Sequence, residues 1–407
     1  MGVHRVCATL RRIARVISES RHVFRIVLAS DSFKGSLSAP DVCAALARGL
    51  ARVSPGIVVV ARPMADGGEG TLDAVLTAVG DAGRRDRASV HGAGGSAIDA
   101  DYGLLKVPVG PTAVLEAAQV VGITDPNGMS APVGTRTTRG MGELLRVLLD
   151  QGVRRFMIGV GGSSTNDGGA GMLMALGLSL LDANGREIAP GPEGLAALAR
   201  ADASALDARL ASCQIIIMSD VNNPLTGERG ATAIFGPQKG VLPEQRRPFD
   251  DAIARFAERA EAAIGRRAAD APGAGAAGGL GFALQLIGGT FNSGAEVVAD
   301  LIGLDAALAG ADWAITGEGR SDAQTLLRKA PFVVLEHARA QGVPVTLISG
   351  AIEPGASGEL GLHFAGCFGL PNGPATLDEC IANAPALLAA RAEQIARLAF
   401  AARSKSR

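Results

Sequence analysis

RRFMIGVGGSSTNDGGAGMLMALG, from Arg154 to Gly177, sets an apolar run, Phe156 to Val160, before Gly161, Gly162, Ser163, Ser164, Thr165, Asn166, Asp167, Gly168 and Gly169. A second apolar run, Ala170 to Leu176, follows. The first run has the length of a buried strand, and the second reads as the start of a helix. A buried strand that ends in a glycine-rich, acid-bearing loop and opens a helix is a unit of a parallel α/β sheet. In such sheets ligands bind beyond the carboxyl ends of the strands.

The same arrangement recurs along the chain. RIVLAS (25–30) precedes DSFKGS (31–36), and IVVVAR (57–62) precedes ADGGEGT (65–71). QIIIMS (214–219) precedes DVNNPLTGERG (220–230), and DWAIT (312–316) precedes GEGRSD (317–322). VPVTLIS (343–349) is a further strand, and 243–267 and 375–402 read as long amphipathic helices. Continuous apolar strands separated by helices predict an α/β fold with parallel sheets covered on both faces. The loops are expected to converge on one rim.

Composition narrows the class. At 407 residues the chain is too long for one ordinary core, so two domains are expected. Hydrophobic residues make up 47% and charged residues 19%, which excludes a disordered chain. The net charge of −1 and the 3% aromatic content give neither a basic footprint nor a stacking platform, so nucleic acid is excluded as a partner. The longest uncharged stretch, 271–295, is mostly Gly and Ala and does not read as a membrane span. Five widely spaced cysteines with no CxxC pair point to a reducing cytoplasm, away from disulfides and a structural zinc. Residues 1–24 carry several Arg and too short an apolar core for a signal peptide; they read as an extension before the first strand.

The loops' residue types describe a chemistry. Glycines let backbone N–H groups approach an anion, and a following helix adds its positive end. DGGxG occurs twice, at Asp66–Gly70 and Asp167–Gly171. Asp31, Asp66, Asp167, Asp220, Glu318 and Asp322 all fall in these loops, and clustered carboxylates repel unless cations sit among them. Lys34, Arg320 and a hard divalent metal would supply that balance. Polyphosphate, metal, carboxylates and lysine together describe phosphoryl transfer. Only five of the 39 basic residues are lysines, which singles out Lys34, Lys239 and Lys329 for positions where a compact ammonium is needed. No GxxxxGK[ST] motif is present, and no histidine sits beside a nucleophile motif. PGAGAAGG (272–279) matches GxGxxG by letter but follows no strand, so an NAD-linked oxidoreductase rests on little.

DSFKGSLSA, ADGGEGT, GGSSTNDGGAGM, SDVNNPLTGERGA, FGPQKG, PGAGAAGGLG and TGEGRSDAQT, in this order, closely resemble the bacterial type I glycerate kinase family from about Arg25 to the C-terminal helix. The resemblance implies ATP-dependent phosphorylation of D-glycerate, usually on the 2-hydroxyl. It also implies two α/β domains with the active site in the cleft between them, one built from both chain ends (25–90 and 290–402) and the other inserted (91–289). On this reading the backbone of Gly161, Gly162, Ser163, Ser164, Gly168 and Gly169 cradles the nucleotide phosphates, with Lys239 beside them and Asp167 as metal ligand or cap. Asp66, Asp220 and Glu318 are candidate ligands for Mg2+ or Mn2+. Asp220 and Asp322 are candidates for metal ligand or general base, and Lys34 and Arg320 for clamping the glycerate carboxylate or the transferring phosphoryl. A homodimer is an open expectation, as is a related hydroxy acid as acceptor or 3-phosphoglycerate as product. A non-catalytic metabolite sensor is the rival from another class. The family usually carries Gly-Lys-x-Pro after the GEGR loop, where this chain has Arg328-Lys329-Ala330-Pro331. If that glycine permits a left-handed turn, Arg328 carries a cost.

Overall fold

The computed structural model describes residues 23–404, apart from 55, 108 and 109. The expected N-terminal extension therefore lies outside the described residues up to 22. Along the chain the strands of the two main sheets are β1 (Arg25–Leu28), β2 (Val58–Ala61), β3 (Gly83–His91), β4 (Ala97–Val107), β5 (Gly110–Glu116) and β6 (Arg155–Gly159). They continue with β7 (Gln214–Met218), β8 (Thr290–Asn292), β9 (Trp313–Thr316), β10 (Val345–Ser349) and β11 (Gly366–Gly369).

The first sheet has the order β11-β10-β9-β1-β2 and is parallel throughout. Its strands alternate between two cores, as a period of two requires when both faces are covered. Ile26 and Leu28 face a core closed by the helices Ala39–Ala51 and Ala384–Ser404. Val27 and Ala29 face the core that holds the helices Gly294–Leu301, Leu304–Leu308 and Ala330–Ala340. Ser38 starts the helix Ala39–Ala51 by accepting the Asp41 amide, with Pro40 in its first turn.

The second sheet has the order β8-β7-β6-β5-β4-β3 and comes from Gly83 to Asn292, so it lies between the two chain segments that make the first. β5, β6, β7 and β8 pair in parallel, whereas β3, β4 and β5 form an antiparallel meander. β3 and β4 lie outside the apolar runs read as parallel strands: 83–107 reads GRRDRASVHGAGGSAIDADYGLLKV, a half-exposed alternating pattern. The expected insert at 91–289 omitted most of β3 and all of β8, which the β-ladders carry into this sheet.

One face of this sheet, with Ala113, Leu115, Phe156, Ile158, Ile215 and Ile217, packs on its own core. The other face sends Val114, Met157 and Met218 into the core that also takes Val27 and Ala29 of β1. The two sheets therefore share a hydrophobic seam. Burying each of the Val, Ile, Leu, Met and Phe side chains among them contributes about 1.5–3 kcal/mol, depending on size. The seam brings the carboxyl ends of β1 and β2 close to those of β6 and β7.

Candidate active site

Glycines decide how closely the loops meet. A Cβ on Gly67 would stand 2.6 Å from the Met218 carbonyl at the end of β7. On Gly159 it would stand 2.4 Å from the Gly67 carbonyl, and on Gly161 2.7 Å from Gly68 Cα. The ADGG loop after β2 thus lies directly on the ends of β6 and β7, an approach that only residues without side chains permit. A Cβ on Gly319 would stand 3.3 Å from the Lys34 amide nitrogen and 3.4 Å from Phe33 Cα, so the loops after β1 and β9 are in contact.

Beyond this junction opens a cavity of about 740 Å³. Its walls come from strand ends of both sheets: Ser32 to Ser38 after β1, Asp66 to Gly70 after β2, Glu116 and Gln119 at β5, Gly161 and Gly162 after β6, and Ser219 to Val221 after β7. Lys34, Asp66, Asp220, Gly161 and Gly162, all singled out from sequence, line it together. Lys34 Nζ lies 3.3 Å from Asp66 Oδ2, and this carboxylate is the main reason the lysine's pKa rises above its usual value. Asp31 is buried behind them. Desolvation pushes its pKa up to about 7, Asp66 adds to the rise and Lys34 opposes it. Burial also raises the Asp220 pKa against the Ser293 hydroxyl and the Gly294 amide, with Asp66 raising it further and Arg328 lowering it.

The GEGRSD loop forms the rear of the charge cluster. Glu318 accepts from Thr325 Oγ1 at 2.6 Å and Ser321 Oγ at 3.0 Å, and Lys329 Nζ sits 3.8 Å from it. Burial raises the Glu318 pKa, with Thr325 and Lys329 opposing. Asp322 lies 3.7 Å from Lys329 and caps the short helical turn 323–326 through the Gln324 amide. Arg320 is exposed and points to Glu353 at 3.6 Å, away from Lys34.

The opening stretch divides in two. Gly161 and Gly162 face the cavity, whereas Ser164, Thr165, Asn166 and Asp167 are fully buried. The Asp167 carboxylate accepts from the Thr138 amide at 2.7 Å, Thr138 Oγ1 at 2.9 Å, the Gly169 amide at 3.1 Å and the Gly171 amide at 3.2 Å. These donors come from two loops, so the buried carboxylate holds them together, which is the capping role expected of it. Gly168 and Gly169 pack against Gly279, and the Gly168 amide donates to the Gly278 carbonyl, so both lie behind the cradle. Lys239 is buried too: its Nζ donates to Ser163 Oγ at 3.0 Å and the Thr165 carbonyl at 2.7 Å, and desolvation drops its pKa to about 7. PGAGAAGG has no dinucleotide geometry. Its glycines fit against Phe291, the Pro224 carbonyl and the Thr165 carbonyl, as packing requires.

The structure adds groups the sequence reading left without a role: Ser32, Glu116, Gln119 and Ser219 line the cavity. Glu116 is buried at the end of β5 and accepts the Leu72 amide, which caps the helix Thr71–Val79 across the seam; burial raises its pKa. The signal in the sequence was an acid directly after the apolar run TAVL. For a divalent cation, Asp31, Asp66, Asp220 and Glu318 offer hard carboxylate oxygens. Among the described residues, however, no three Asp, Glu, His or Cys side chains form a ready cage.

A cleft at the carboxyl ends of two sheets, lined by glycine loops, carboxylates and a lysine, belongs to the phosphotransferase class of α/β proteins. The glycerate kinase family model matches residues 26–400. The chain is 40% identical to a glycerate kinase of Bacillus subtilis (strain 168) over 374 residues, 91% of this chain and 97% of that protein. It is 42% identical to the glycerate 2-kinase of Escherichia coli (strain K12) over 330 residues, 81% of this chain and 85% of that protein. The crystal structure provisionally described as glycerate kinase 2 of Salmonella typhimurium LT2 superposes with a TM-score of 0.81 at 40% identity, covering 94% of this chain and all of that one. The chain belongs to the glycerate kinase family and is an enzyme of it. Among the described residues no helix is long and apolar enough to cross a membrane.

Proposed function

We propose that the cavity transfers the γ-phosphoryl group of ATP to the 2-hydroxyl of D-glycerate, giving 2-phosphoglycerate and ADP. One observation carries the reading: Lys34 and Asp66 from one sheet and Gly161, Gly162 and Asp220 from the other line a single cavity in a chain of this family. The backbone of Gly161 and Gly162, with Gly67 and Gly68 opposite, approaches the phosphates where no side chain intervenes. Lys34 stays cationic beside Asp66 and neutralises the glycerate carboxylate or the equatorial oxygens of the moving phosphoryl. Asp220 accepts the proton of the attacking hydroxyl. The hydroxyl oxygen forms its bond to phosphorus as the β–γ bridging P–O bond breaks and ADP leaves with the electron pair. The raised Asp220 pKa favours this transfer, because a base nearer neutrality takes the proton more readily.

Asp66, with Glu318 behind, would hold Mg2+ or Mn2+, which leaves Asp220 free to act as the base; when bound, the ion offsets phosphate charge. Lys329 balances Glu318 and Asp322, and Asp322 anchors the turn that presents Lys329. Arg320, being exposed, is assigned a part only once the cleft closes on substrate. We read the two sheets as two α/β units that close around it, as kinases must exclude water. The cytoplasm fits the four free cysteines among the described residues.

Phosphorus NMR of a reaction with Mg-ATP and D-glycerate tests the proposal. The expected product is 2-phosphoglycerate with stoichiometric ADP. A 3-phosphoglycerate signal would overturn the position, and no ADP above background would overturn the reaction.

A further inference from the structure

A second chamber of about 320 Å³ adjoins the main cavity, and the two share Gly161, Gly162, Ser219 and Val221 as lining residues. Its lining differs in kind. The main cavity carries Asp66, Glu69, Asp73, Glu116 and Asp220. The side chamber has no carboxylate, and its walls are Ile123, Val160, Phe235, Ala276 and Ala277. Its polar groups are the Ser163 and Ser219 hydroxyls, the Gln238 amide and the Lys239 amine.

These walls are fixed by the fold. The Ile123 amide donates to the Gly162 carbonyl at 2.8 Å, tying one wall to the shared glycine floor. Lys239 is pinned by Ser163 and by Thr165, and its own carbonyl accepts from Arg136 Nη1 at 2.8 Å. The Ala276–Ala277 wall holds Ala277 at a φ of 53°, a conformation left-handed for a residue with a side chain. The chamber is therefore formed before any ligand arrives.

We infer that the side chamber is the nucleobase site: it takes the uncharged, planar heteroaromatic ring of a purine nucleoside triphosphate whose phosphates run over Gly161 and Gly162 into the main cavity. This rests on the proposed use of ATP. A triphosphate cannot enter such a chamber, because desolvating its charges costs far more than apolar walls return. A base gains there: its faces lie against Phe235, Ile123 and Val160, while its ring nitrogens reach Gln238 and Ser219 at the edge. The lysine that lines the chamber is already engaged, its Nζ donating to Ser163 Oγ and the Thr165 carbonyl, so it presents no free cation to a charged ligand. The two chambers thus divide the nucleotide, with base in the apolar one and phosphates in the charged one, and the glycine floor between them.

Isothermal titration of the full chain with ATP, adenosine and inorganic tripolyphosphate, each with Mg2+, tests the division. Phe235→Ala should weaken ATP and adenosine at least fivefold and leave tripolyphosphate and the KM for D-glycerate within twofold. Gln238→Trp, at an exposed position where folding is insensitive, should obstruct the chamber mouth and weaken ATP at least tenfold, with tripolyphosphate again unaffected. Unchanged ATP binding in Gln238→Trp, or equal loss of ATP and tripolyphosphate in either variant, overturns the inference while the kinase reading stands. Wild-type protein that binds ATP with this pattern but releases no ADP with D-glycerate leaves the nucleobase site in place and defeats the acceptor assignment. Wild-type protein that binds no ATP defeats both.

Discussion

At the scale of single residues, the same short motif has two outcomes. Asp66 and Asp167 both begin DGGxG, yet Asp66 meets Lys34 in the cavity while Asp167 turns inward to four donors. Local sequence cannot separate them, because the direction of the side chain depends on Thr138 and Lys34, which lie 29 and 32 residues away. Lys34, Asp66 and Asp220 were legible since each falls in the loop that follows an apolar strand. Asp167→Ala should cost about 3 kcal/mol of stability by leaving buried donors unpaired, read as a shift in the urea midpoint. Lys34→Ala and Asp220→Ala should each lower kcat/KM by well over tenfold with the midpoint little changed. Arg328 holds a φ of 63°, the left-handed conformation that glycine adopts freely and a residue with a side chain adopts under strain. Arg328→Gly should raise stability by about 0.5–1 kcal/mol, the relief of left-handed strain less the added freedom of the unfolded chain.

Asp31 sets a pH dependence. Its folded pKa of about 7 lies above the ordinary 3.8, so the folded chain holds a proton the unfolded chain has lost between those values. Stability then falls as pH rises from about 4 to 7 and levels off above. Asp31→Asn should therefore stabilise the chain at pH 8, by roughly 2 kcal/mol or more, and the gain should shrink towards zero near pH 4. Denaturant unfolding of both proteins across this range checks it; a gain that grows on acidification would contradict the assignment.

At the scale of elements, the apolar strands were readable because burial on both faces leaves no alternation to interpret. β3 and β4 were not, since their outward positions carry Arg85, Arg87 and Asp101 in ion pairs. The glycine loops could be seen as loops, but their reason could not. Gly67, Gly159 and Gly161 are required by contacts between loops of different sheets, a long-range fact. Gly67→Ala, with its new methyl 2.6 Å from the Met218 carbonyl and a φ of 87°, should lift the ADGG loop off β7. The expected result is a loss of kcat/KM of at least tenfold together with about 2–3 kcal/mol of stability. Activity and a urea midpoint both equal to wild type would show the seam to be more yielding than this packing allows.

At the scale of the whole molecule, the seam between the sheets explains the placement of the site. One sheet supplies Lys34, Asp31 and Asp66, the other Gly161, Gly162 and Asp220, and the shared core of Val27, Val114, Met157 and Met218 holds the strand ends in register. That much was foreseeable as a convergence of loops, while the closure of two sheets on a common core was not, because no segment of the chain announces its partner. The central claim is that Lys34 and Asp220, 186 positions apart, act on one reacting substrate. A double-mutant cycle on kcat/KM for Lys34→Ala and Asp220→Ala addresses it directly. The account predicts that the combined loss falls short of the sum of the single losses by more than about 1 kcal/mol, as for groups serving one step. Losses that add to within about 0.3 kcal/mol would contradict it.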